Sequence, residues 1–186
     1  MSDEQTELSI DEPIKAGAVF SQDKKYRYKL WRIWDIRLPR CGFIMLNPSK
    51  ADAFILDPTV KRCIGFAKRW GYGSLIVGNI FALKSTDPKE LYKSSDPVGP
   101  DNDAALVDIA QTTDLVITAW GNHGKHIERG DIALRTLLPD YSEKMAHLGH
   151  SKEGEPLHPL YLHSKARPIK YQVRRSEKGV LEWSRR

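Results

Sequence analysis

One stretch, from Phe43 to Trp70, restricts the fold more than any other part of this chain. It opens with an apolar run that stops at Asn47-Pro48-Ser49, which is typical of a strand buried on both faces and ending in a polar loop. Asp57-Pro58 then supplies a helix N-cap and a proline at the first helical position. The stretch therefore predicts a strand, a polar loop and a helix in immediate succession.

The predicted helix has two faces of different character. Its apolar residues recur at helical spacing: Val60, Cys63, Ile64, Ala67 and Trp70. Its other side is basic: Lys61, Arg62, Lys68 and Arg69. We interpret Arg62, Lys68 and Arg69 as candidate contacts to a nucleic-acid backbone, while noting that an ordinary solvated helix face has the same composition.

Strand and helix patterns alternate along the rest of the chain. Further short apolar runs predict strands at residues 74–80, 114–119 and 144–148, and helical periodicity falls at residues 102–111 and 127–138. This alternation predicts an α/β fold, a three-layer α/β/α domain with a central, mostly parallel sheet. Residues 25–34 are rich in β-formers but broken by charges, so we expect a partly exposed strand that pairs with the strand at residues 41–46.

Length and charge define the domains and the class of partner. A chain of 186 residues is most simply one domain, which we place at residues 15–163, after a disordered acidic leader (1–14) and before a basic C-terminal extension (164–186). The extension is expected to be either a basic arm or a last amphipathic strand packed on the sheet edge. The net charge is +5, and the leader holds five acids without a cation, so the remainder carries 29 − 19 = +10. This balance favours a polyanionic partner, and nucleic acid is the commonest one.

Several classes of protein are disfavoured by what the sequence lacks. There is no P-loop, no G-x-G-x-x-G, and no apolar run long enough to cross a bilayer, so we expect a cytoplasmic protein with no cofactor and no membrane partner. Cys41 and Cys63 are expected to be reduced core thiols. The spacing of the four histidines from His147 to His163 fits no compact zinc signature, so we predict no metal. The sequence does not determine the oligomeric state, although a monomer is favoured.

Polar residues follow the predicted strands at the point where each strand ends. They are Asn47-Pro48-Ser49, Asn79, Trp120-Gly121-Asn122 and, beyond the last strand, His158-Pro159. The carboxyl ends of parallel strands meet at one edge of a sheet, where α/β proteins bind ligands. We therefore expect these side chains to line one crevice.

Two family resemblances follow from these residues. The runs MLNPSKADAFILDPTVKRCIGFAKRWGYG, NIFALKSTDPKEL, DPVGPDND, AWGNHG and HPLYL resemble the bacterial and phage family known as domain of unknown function 1643. This resemblance covers residues 26–162 and implies no activity. The strand ends alone are also similar to the uracil-DNA glycosylase superfamily.

The glycosylase resemblance implies roles for particular residues. It implies that Asn47, followed by Pro48, positions an attacking water, that Asn79 reads a base edge, and that His158 stabilises the leaving base. The segment around Trp120-Gly121-Asn122 resembles the following turn, and Leu162 lies where an apolar side chain wedges into the duplex. DNA is the nucleic acid that this resemblance favours.

The chemistry of such a site can be stated from the residues themselves. Cleaving an N-glycosidic bond develops negative charge on the base, which a neutral His158 could meet with a hydrogen bond. Asn47 could orient the water but cannot take its proton, so Asp52 or Asp57 is the candidate base. Each residue also has a simpler reading: Asn47-Pro48-Ser49 as an Asx turn, Asp57 as a helix cap, and His158 as a structural histidine.

Three functions remain open from the sequence. The principal hypothesis is a nucleic-acid-binding, glycosylase-like protein that hydrolyses the N-glycosidic bond of a modified, damaged or mismatched base. The alternatives are a non-catalytic nucleic-acid-binding module of the same fold and an enzyme acting on free nucleotides or nucleosides. Binding with a steep salt dependence but without turnover would favour the second. Tight binding of a small ligand and weak binding of DNA would favour the third.

Overall fold

A computed structural model describes residues 14–49, 57–176 and 181–184. The strands are β1 (Lys15–Phe20), β2 (Arg27–Ile33), β3 (Arg40–Met45), β4 (Ser74–Asn79), β5 (Leu115–Thr118), β6 (Met145–His147), β7 (Ile169–Lys170), β8 (Val173–Arg175) and β9 (Leu181–Trp183). The α-helices are α1 (Pro58–Arg69), α2 (Asn102–Thr112) and α3 (Arg129–Tyr141). Short 3-10 helices lie at Pro88–Lys93, Asn122–Glu128, Ser142–Lys144 and Pro159–Tyr161.

A seven-stranded sheet forms the centre, in the order β1-β2-β4-β3-β5-β6-β7. The four central strands, β4, β3, β5 and β6, are parallel, while β1, β2 and β7 join antiparallel at the two sides. The chain leaves β3 towards β4 and later crosses back to β5 on the other side of β3. The order therefore reverses between β3 and β5, which places a ligand crevice at the carboxyl ends of these strands.

Side chains of the central strands alternate between two apolar clusters. Phe43 packs with α1 residues such as Cys63 and Phe66, whereas the next residue, Ile44, packs with α2 and α3 residues including Leu106 and Leu137. Both faces of the sheet are thus covered, as the apolar runs predicted. The three-layer α/β/α prediction is confirmed.

Local signals set the bounds of α1 as expected. Asp57 is its N-cap, with Oδ1 accepting the Val60 N–H at 2.7 Å, and Pro58 is its first residue. Gly71, at φ +85°, follows the C-terminal residue and turns the chain towards β4. Because α1 begins at the carboxyl end of the sheet, its first turn faces the crevice.

The expected partner of the strand at residues 25–34 is wrong. β2 pairs with β1 and β4, not with β3, and it is more buried than a partly exposed strand, since Arg27, Tyr28 and Arg32 are all buried. Sequence proximity suggested a hairpin with β3, but β4 takes the place beside β3 in parallel register. β1, which supplies the outer partner of β2, was not predicted.

The last part of the chain contributes to the folded body. β7 pairs with β6 at the edge of the sheet, and Tyr171 is buried in the α2–α3 cluster with its hydroxyl 2.5 Å from Thr118 Oγ1. β8 and β9 form a separate two-stranded sheet. Almost the whole acidic leader lies outside the described residues, as does Asp52.

Candidate functional site

A cavity of about 580 Å³ lies at the carboxyl ends of the central strands. Its wall combines segments far apart in sequence. The predicted residues that line it are Asn47, Ser49, Asn79, Trp120, Gly121, Asn122 and His158. The volume is within the range of small-molecule sites in proteins.

Asn79, the last residue of β4, is a buried amide on this wall. The residue is only 2% exposed, and its side chain makes no hydrogen bond within the described part of the chain. Its backbone oxygen, in contrast, accepts the Asn102 Nδ2–H at 2.9 Å. An amide that is buried but unbonded has both a donor and an acceptor to offer a ligand in the cavity.

Asn47 has its amide oriented by the neighbouring loop. Its Nδ2 donates to the Ser85 carbonyl at 2.9 Å and, less favourably, to that of Pro48 at 3.3 Å. Its Oδ1 has no hydrogen-bond partner among the described residues, which leaves an acceptor on this cavity-lining side chain. Pro48 itself is buried outside the cavity wall and fixes the loop through its carbonyl, which accepts the Ser85 N–H at 2.9 Å.

The first turn of α1 and the loop before it are tied together at the cavity. Ser49 Oγ donates to Asp57 Oδ2 at 2.5 Å, while Asp57 Oδ1 caps the helix. Both carboxylate oxygens of Asp57 are therefore engaged in hydrogen bonds. Such a carboxylate is better suited to positioning the loop than to accepting a proton.

His158 faces the same cavity from the opposite loop. Its Nδ1 accepts the Leu160 N–H at 3.4 Å, which favours the tautomer that carries its proton on Nε2. Burial lowers the pKa of His158 below its ordinary value of 6.5, and the charge of Asp57 opposes this shift. At neutral pH the imidazole is therefore uncharged and has one N–H to donate.

The loop after β5 brings the His158 loop into place. Gly121 adopts φ +70°, a conformation that favours glycine, and its N–H donates to the Pro156 carbonyl at 2.8 Å. Trp120 Nε1 donates to Glu155 Oε2 at 2.8 Å in a buried hydrogen bond. These two contacts hold the segment before His158 against the end of β5.

Asn122 uses both ends of its amide within the protein. Its Nδ2 donates to Glu153 at 2.9 Å, and its Oδ1 accepts from Ser151 Oγ at 2.6 Å. Asn122 therefore lines the cavity as part of a loop-to-loop connection, with less hydrogen-bonding capacity left for a ligand than Asn79.

Arg27 is a cavity residue that the sequence did not reveal. It is the first residue of β2, only 2% exposed, and it lines the cavity near Asp57. Burial lowers the pKa of Arg27 to about 10, with Asp57 opposing and Arg32 reinforcing the shift, so the guanidinium is charged at neutral pH. The signal was hidden because an arginine in a strand broken by charges was interpreted as an exposed position.

Tyr161 is the exposed aromatic at the rim. It is 84% exposed, lines the cavity and lies with its ring centroid 5.9 Å from that of His158. Leu162, which we had expected to project as a wedge, instead packs against the apolar cluster beneath α1 and does not line the cavity. The apolar environment next to α1 accounts for this inward position.

These observations can now be compared with known proteins. Residues 27–160 match the profile of the family described as "Protein of unknown function (DUF1643)". The chain belongs to the DUF1643 family. The match spans β2 to the 3-10 helix beside His158 and so includes the cavity wall from Arg27 to His158.

No match to this DUF1643 chain was found among curated proteins or among solved structures. The family assignment agrees with the first resemblance seen in the sequence. The similarity to uracil-DNA glycosylases stays a prediction.

The basic face of α1 lies beside this cavity but outside its wall. Arg62 donates to the Leu162 carbonyl, and the guanidinium groups of Arg62 and Arg69 lie 5.2 and 5.1 Å from the centroid of the Phe66 ring. Lys68 Nζ lies 5.6 Å from the Trp34 ring centroid. These cations thus have structural contacts in addition to their predicted role with nucleic acid.

Two further properties concern the described residues of this DUF1643 protein. Within them, no group of three or more His, Cys, Asp or Glu side chains is placed to hold a metal ion. None of their helices combines the length and apolar character needed to traverse a bilayer.

Proposed function

We propose that this protein binds nucleic acid, DNA in the first instance, and hydrolyses the N-glycosidic bond of a modified, damaged or mismatched base held in the cavity. One observation carries the proposal. Asn47, Asn79 and His158, which are separated by up to 111 positions in the chain, line one cavity of about 580 Å³. Each offers hydrogen-bonding capacity that the fold leaves unused.

The base would be recognised by Asn79. A buried amide without a protein partner gains hydrogen bonds when a base edge enters, and this gain discriminates against ligands that lack matching groups. Tyr161, exposed at the rim, supplies a ring for stacking on a neighbouring base outside the cavity. A base in a duplex would have to leave the helix to reach this position.

The leaving base would be stabilised by His158 and Arg27. Breaking the C–N bond transfers an electron pair to the base, and a neutral imidazole can donate its Nε2–H to the developing anion. Arg27 adds a permanent positive charge in a wall with little access to water, where its effect on an anion is larger than in bulk solvent. The two groups differ in role, since His158 contributes a directed hydrogen bond and Arg27 a charge.

The water would be held by Asn47 Oδ1, which is free to accept one of its hydrogens. Its oxygen adds to the sugar carbon, and its second proton passes to a base or to solvent. Asp57 is poorly placed for this task because both of its oxygens are already hydrogen-bonded. Asp52, outside the described residues, stays the predicted proton acceptor.

A second candidate function is an enzyme acting on free nucleosides or nucleotides. The buried charge of Arg27 favours it, because a guanidinium in a cavity wall can meet a phosphate carried by the ligand itself. The two candidates differ in whether the ligand arrives as part of a polymer.

The decisive experiment incubates the protein with duplexes that contain uracil, mismatches or hypermodified pyrimidines, and with the corresponding free nucleosides. Abasic sites or released bases are then measured. We expect release from at least one duplex and a loss of about a hundredfold or more in Asn47→Ala. Release from nucleosides alone would select the second candidate. No product from any substrate, together with unchanged nucleic-acid binding by Asn47→Ala, would leave only a non-catalytic binding module.

A further inference from the structure

A turn that follows the cavity wall is fixed against α1. Its residues run from His163 to Ala166, with the Ala166 N–H donating to the His163 carbonyl at 3.1 Å. Two α1 neighbours hold it: the Arg62 guanidinium donates to the Leu162 carbonyl, and Trp70 Nε1 donates to the Ala166 carbonyl at 3.2 Å. The turn therefore has a defined position beside Tyr161 at the cavity rim.

Two cations at or just after this turn have no ion pair among the described residues, whereas some other surface cations do. Lys165 and Arg167 are exposed, and their side chains make no ion pair or hydrogen bond within the described ranges. In contrast, Lys93, Lys125 and Arg174 are each paired with a glutamate at 2.8 to 3.0 Å. The segment from residue 157 to 176 contains no Asp or Glu at all.

The neighbouring face of α1 adds to the same positive field. Arg69 is exposed there, and α1 carries no acidic residue from Pro58 to Arg69. Burial and the nearby charge of Arg62 both lower the pKa of Arg69, which indicates that the two guanidinium groups lie close enough to repel each other. Clustered positive charges without neighbouring acids repel one another in the free protein. A bound polyanion relieves this repulsion, so such a cluster favours binding.

We propose that Arg69, Lys165 and Arg167 form a track for the phosphate backbone of nucleic acid, with Tyr161 at its inner end stacking on the base next to the one in the cavity. The track begins at the rim, because Tyr161 lines the cavity and the basic turn starts two residues later. This inference rests on the proposed function for its cavity end, since it names the surface along which that substrate leaves the site. A flat π-face and successive cations together suit a strand whose bases are unpaired near the site.

The test measures the salt dependence of binding for a labelled single strand and a duplex between 50 and 200 mM salt. The track variant is Lys165→Gln/Arg167→Gln. The matched control is Lys15→Gln/Arg135→Gln, which removes the same charge from exposed positions on β1 and α3. Loss of two phosphate contacts should make the slope of log K against log salt shallower by roughly 1.4 to 1.8 in the track variant only.

The proposed track would be refuted if the slope of log K against log salt were the same in the track variant, the control variant and the unmodified protein. Equal weakening in both variants would also refute it, because that result would mean a general effect of net charge. Binding to vesicles of anionic lipid that is stronger than binding to either nucleic acid would also overturn it. Each protein is first checked for unchanged thermal unfolding.

Tyr161 is tested separately with a strand that carries a fluorescent base analogue beside the recognised position. We expect Tyr161→Ala to bind about tenfold more weakly and to lose the quenching caused by stacking, while Tyr161→Phe retains both. Equal quenching in all three proteins would contradict the stacking role.

The failure of the track can be told apart from failure of the proposed function. Salt-dependent binding that follows the track variants, without release of any base, would keep the track and refute catalysis. The opposite result is base release from free nucleosides at an unchanged rate in the track variant, with no selective loss of nucleic-acid binding. That result would refute the track and keep catalysis.

Discussion

The two ends of the four parallel strands differ in how their loop and backbone polar groups are bonded, although Ser74 Oγ, at the amino end of β4, is also buried without a partner among the described residues. At the amino ends, the Arg40 N–H donates to Asp114 Oδ2 at 2.7 Å, and the Asp114 N–H returns a bond to the Arg40 carbonyl at 2.9 Å. The Gly73 N–H before β4 likewise donates to the Pro39 carbonyl at 2.8 Å. At the carboxyl ends, Asn79 and the Oδ1 of Asn47 stay unbonded within the described residues.

We interpret the amino ends of these strands as serving mainly stability and the carboxyl ends as serving mainly ligand binding. The Asn79 side chain makes no hydrogen bond within the described residues, so an apolar residue of similar size would serve the fold equally well. Stability alone therefore does not account for Asn79, which is consistent with the proposal that it binds a ligand. The following predictions test whether the two ends are as distinct in experiment as in structure.

The largest effect is expected on catalysis. If the proposed function holds, replacing His158 with Ala removes the proposed donor to the leaving base and should lower the rate of base release by about 10²–10³-fold, with a change in unfolding free energy below about 1 kcal/mol. Asp114→Ala, at the other end, should cost roughly 1 kcal/mol in stability and leave the rate unchanged. Single-turnover kinetics and urea unfolding on both variants measure the four quantities.

The distinction between the two ends would be contradicted if His158→Ala and Asp114→Ala each lowered both the rate of base release and the unfolding free energy. The same holds if Asp114→Ala slows base release as strongly as His158→Ala does.

A second comparison uses the side-chain amides of Asn79 and Asn102, both of which lie at the carboxyl end of β4. Asn102 donates through Nδ2 to the carbonyls of Asn79 and Ile80, at 2.9 and 3.0 Å. The Ile80 carbonyl also accepts from Arg129 Nε, so Asn102→Leu should cost about 1–2 kcal/mol, mainly because the Asn79 carbonyl loses this donor. Asn79→Leu breaks no side-chain hydrogen bond within the described residues and should leave the unfolding free energy unchanged or slightly higher. Its ligand affinity should fall instead, as titration calorimetry with the released base would show.

Equal loss of stability in both variants would mean that Asn79 has a structural task that the cavity does not reveal. That result would refute the proposal that Asn79 recognises a base. The proposed role of His158 would not be affected, because it is tested separately.

Much of this fold followed from local signals that agree with the tertiary structure. The apolar run before Asn47 and the Asp57-Pro58 cap predict β3 and α1 because both depend on residues adjacent in sequence. Convergence of Asn47, Asn79 and His158 followed from a general property of parallel sheets. The partner of β2 did not follow, because strand order depends on long-range packing that no local pattern encodes.

The same limit explains the site residues that sequence reasoning missed or misplaced. Arg27 is buried because β2 lies beside β4 with its amino end at the cavity, and that antiparallel pairing was not foreseen. Leu162 was expected to project, but the carbonyl of the same residue is held by Arg62, 100 positions away. Burial of a charged residue and the direction of a loop side chain are both tertiary properties.

A smaller effect is expected from the buried connection that supports the His158 loop. Trp120→Phe keeps the aromatic packing but removes the Nε1–H that Glu155 accepts, and should cost roughly 1–2 kcal/mol because a buried carboxylate loses a donor. Glu155→Gln retains an acceptor and should cost less. Urea unfolding compares the two variants, and a larger loss in Glu155→Gln than in Trp120→Phe would refute this account of the loop.

The smallest effect concerns pH. Because burial lowers the pKa of His158, the imidazole is neutral at pH 7, and base release should decline only below pH 6.5 as the imidazole becomes charged. Over the same window the unfolded chain binds more protons than the folded one, so the stability contributed by the neutral ring is lost as pH falls. His147 shifts in the same direction, so the contribution of His158 is taken from the difference between the protein and His158→Gln. Two results would contradict this account: a rate of base release that declines already above pH 7, or a stability difference of opposite sign. Either would show that His158 is cationic in the folded protein, so that the cavity end of the sheet carries the charges of both His158 and Arg27.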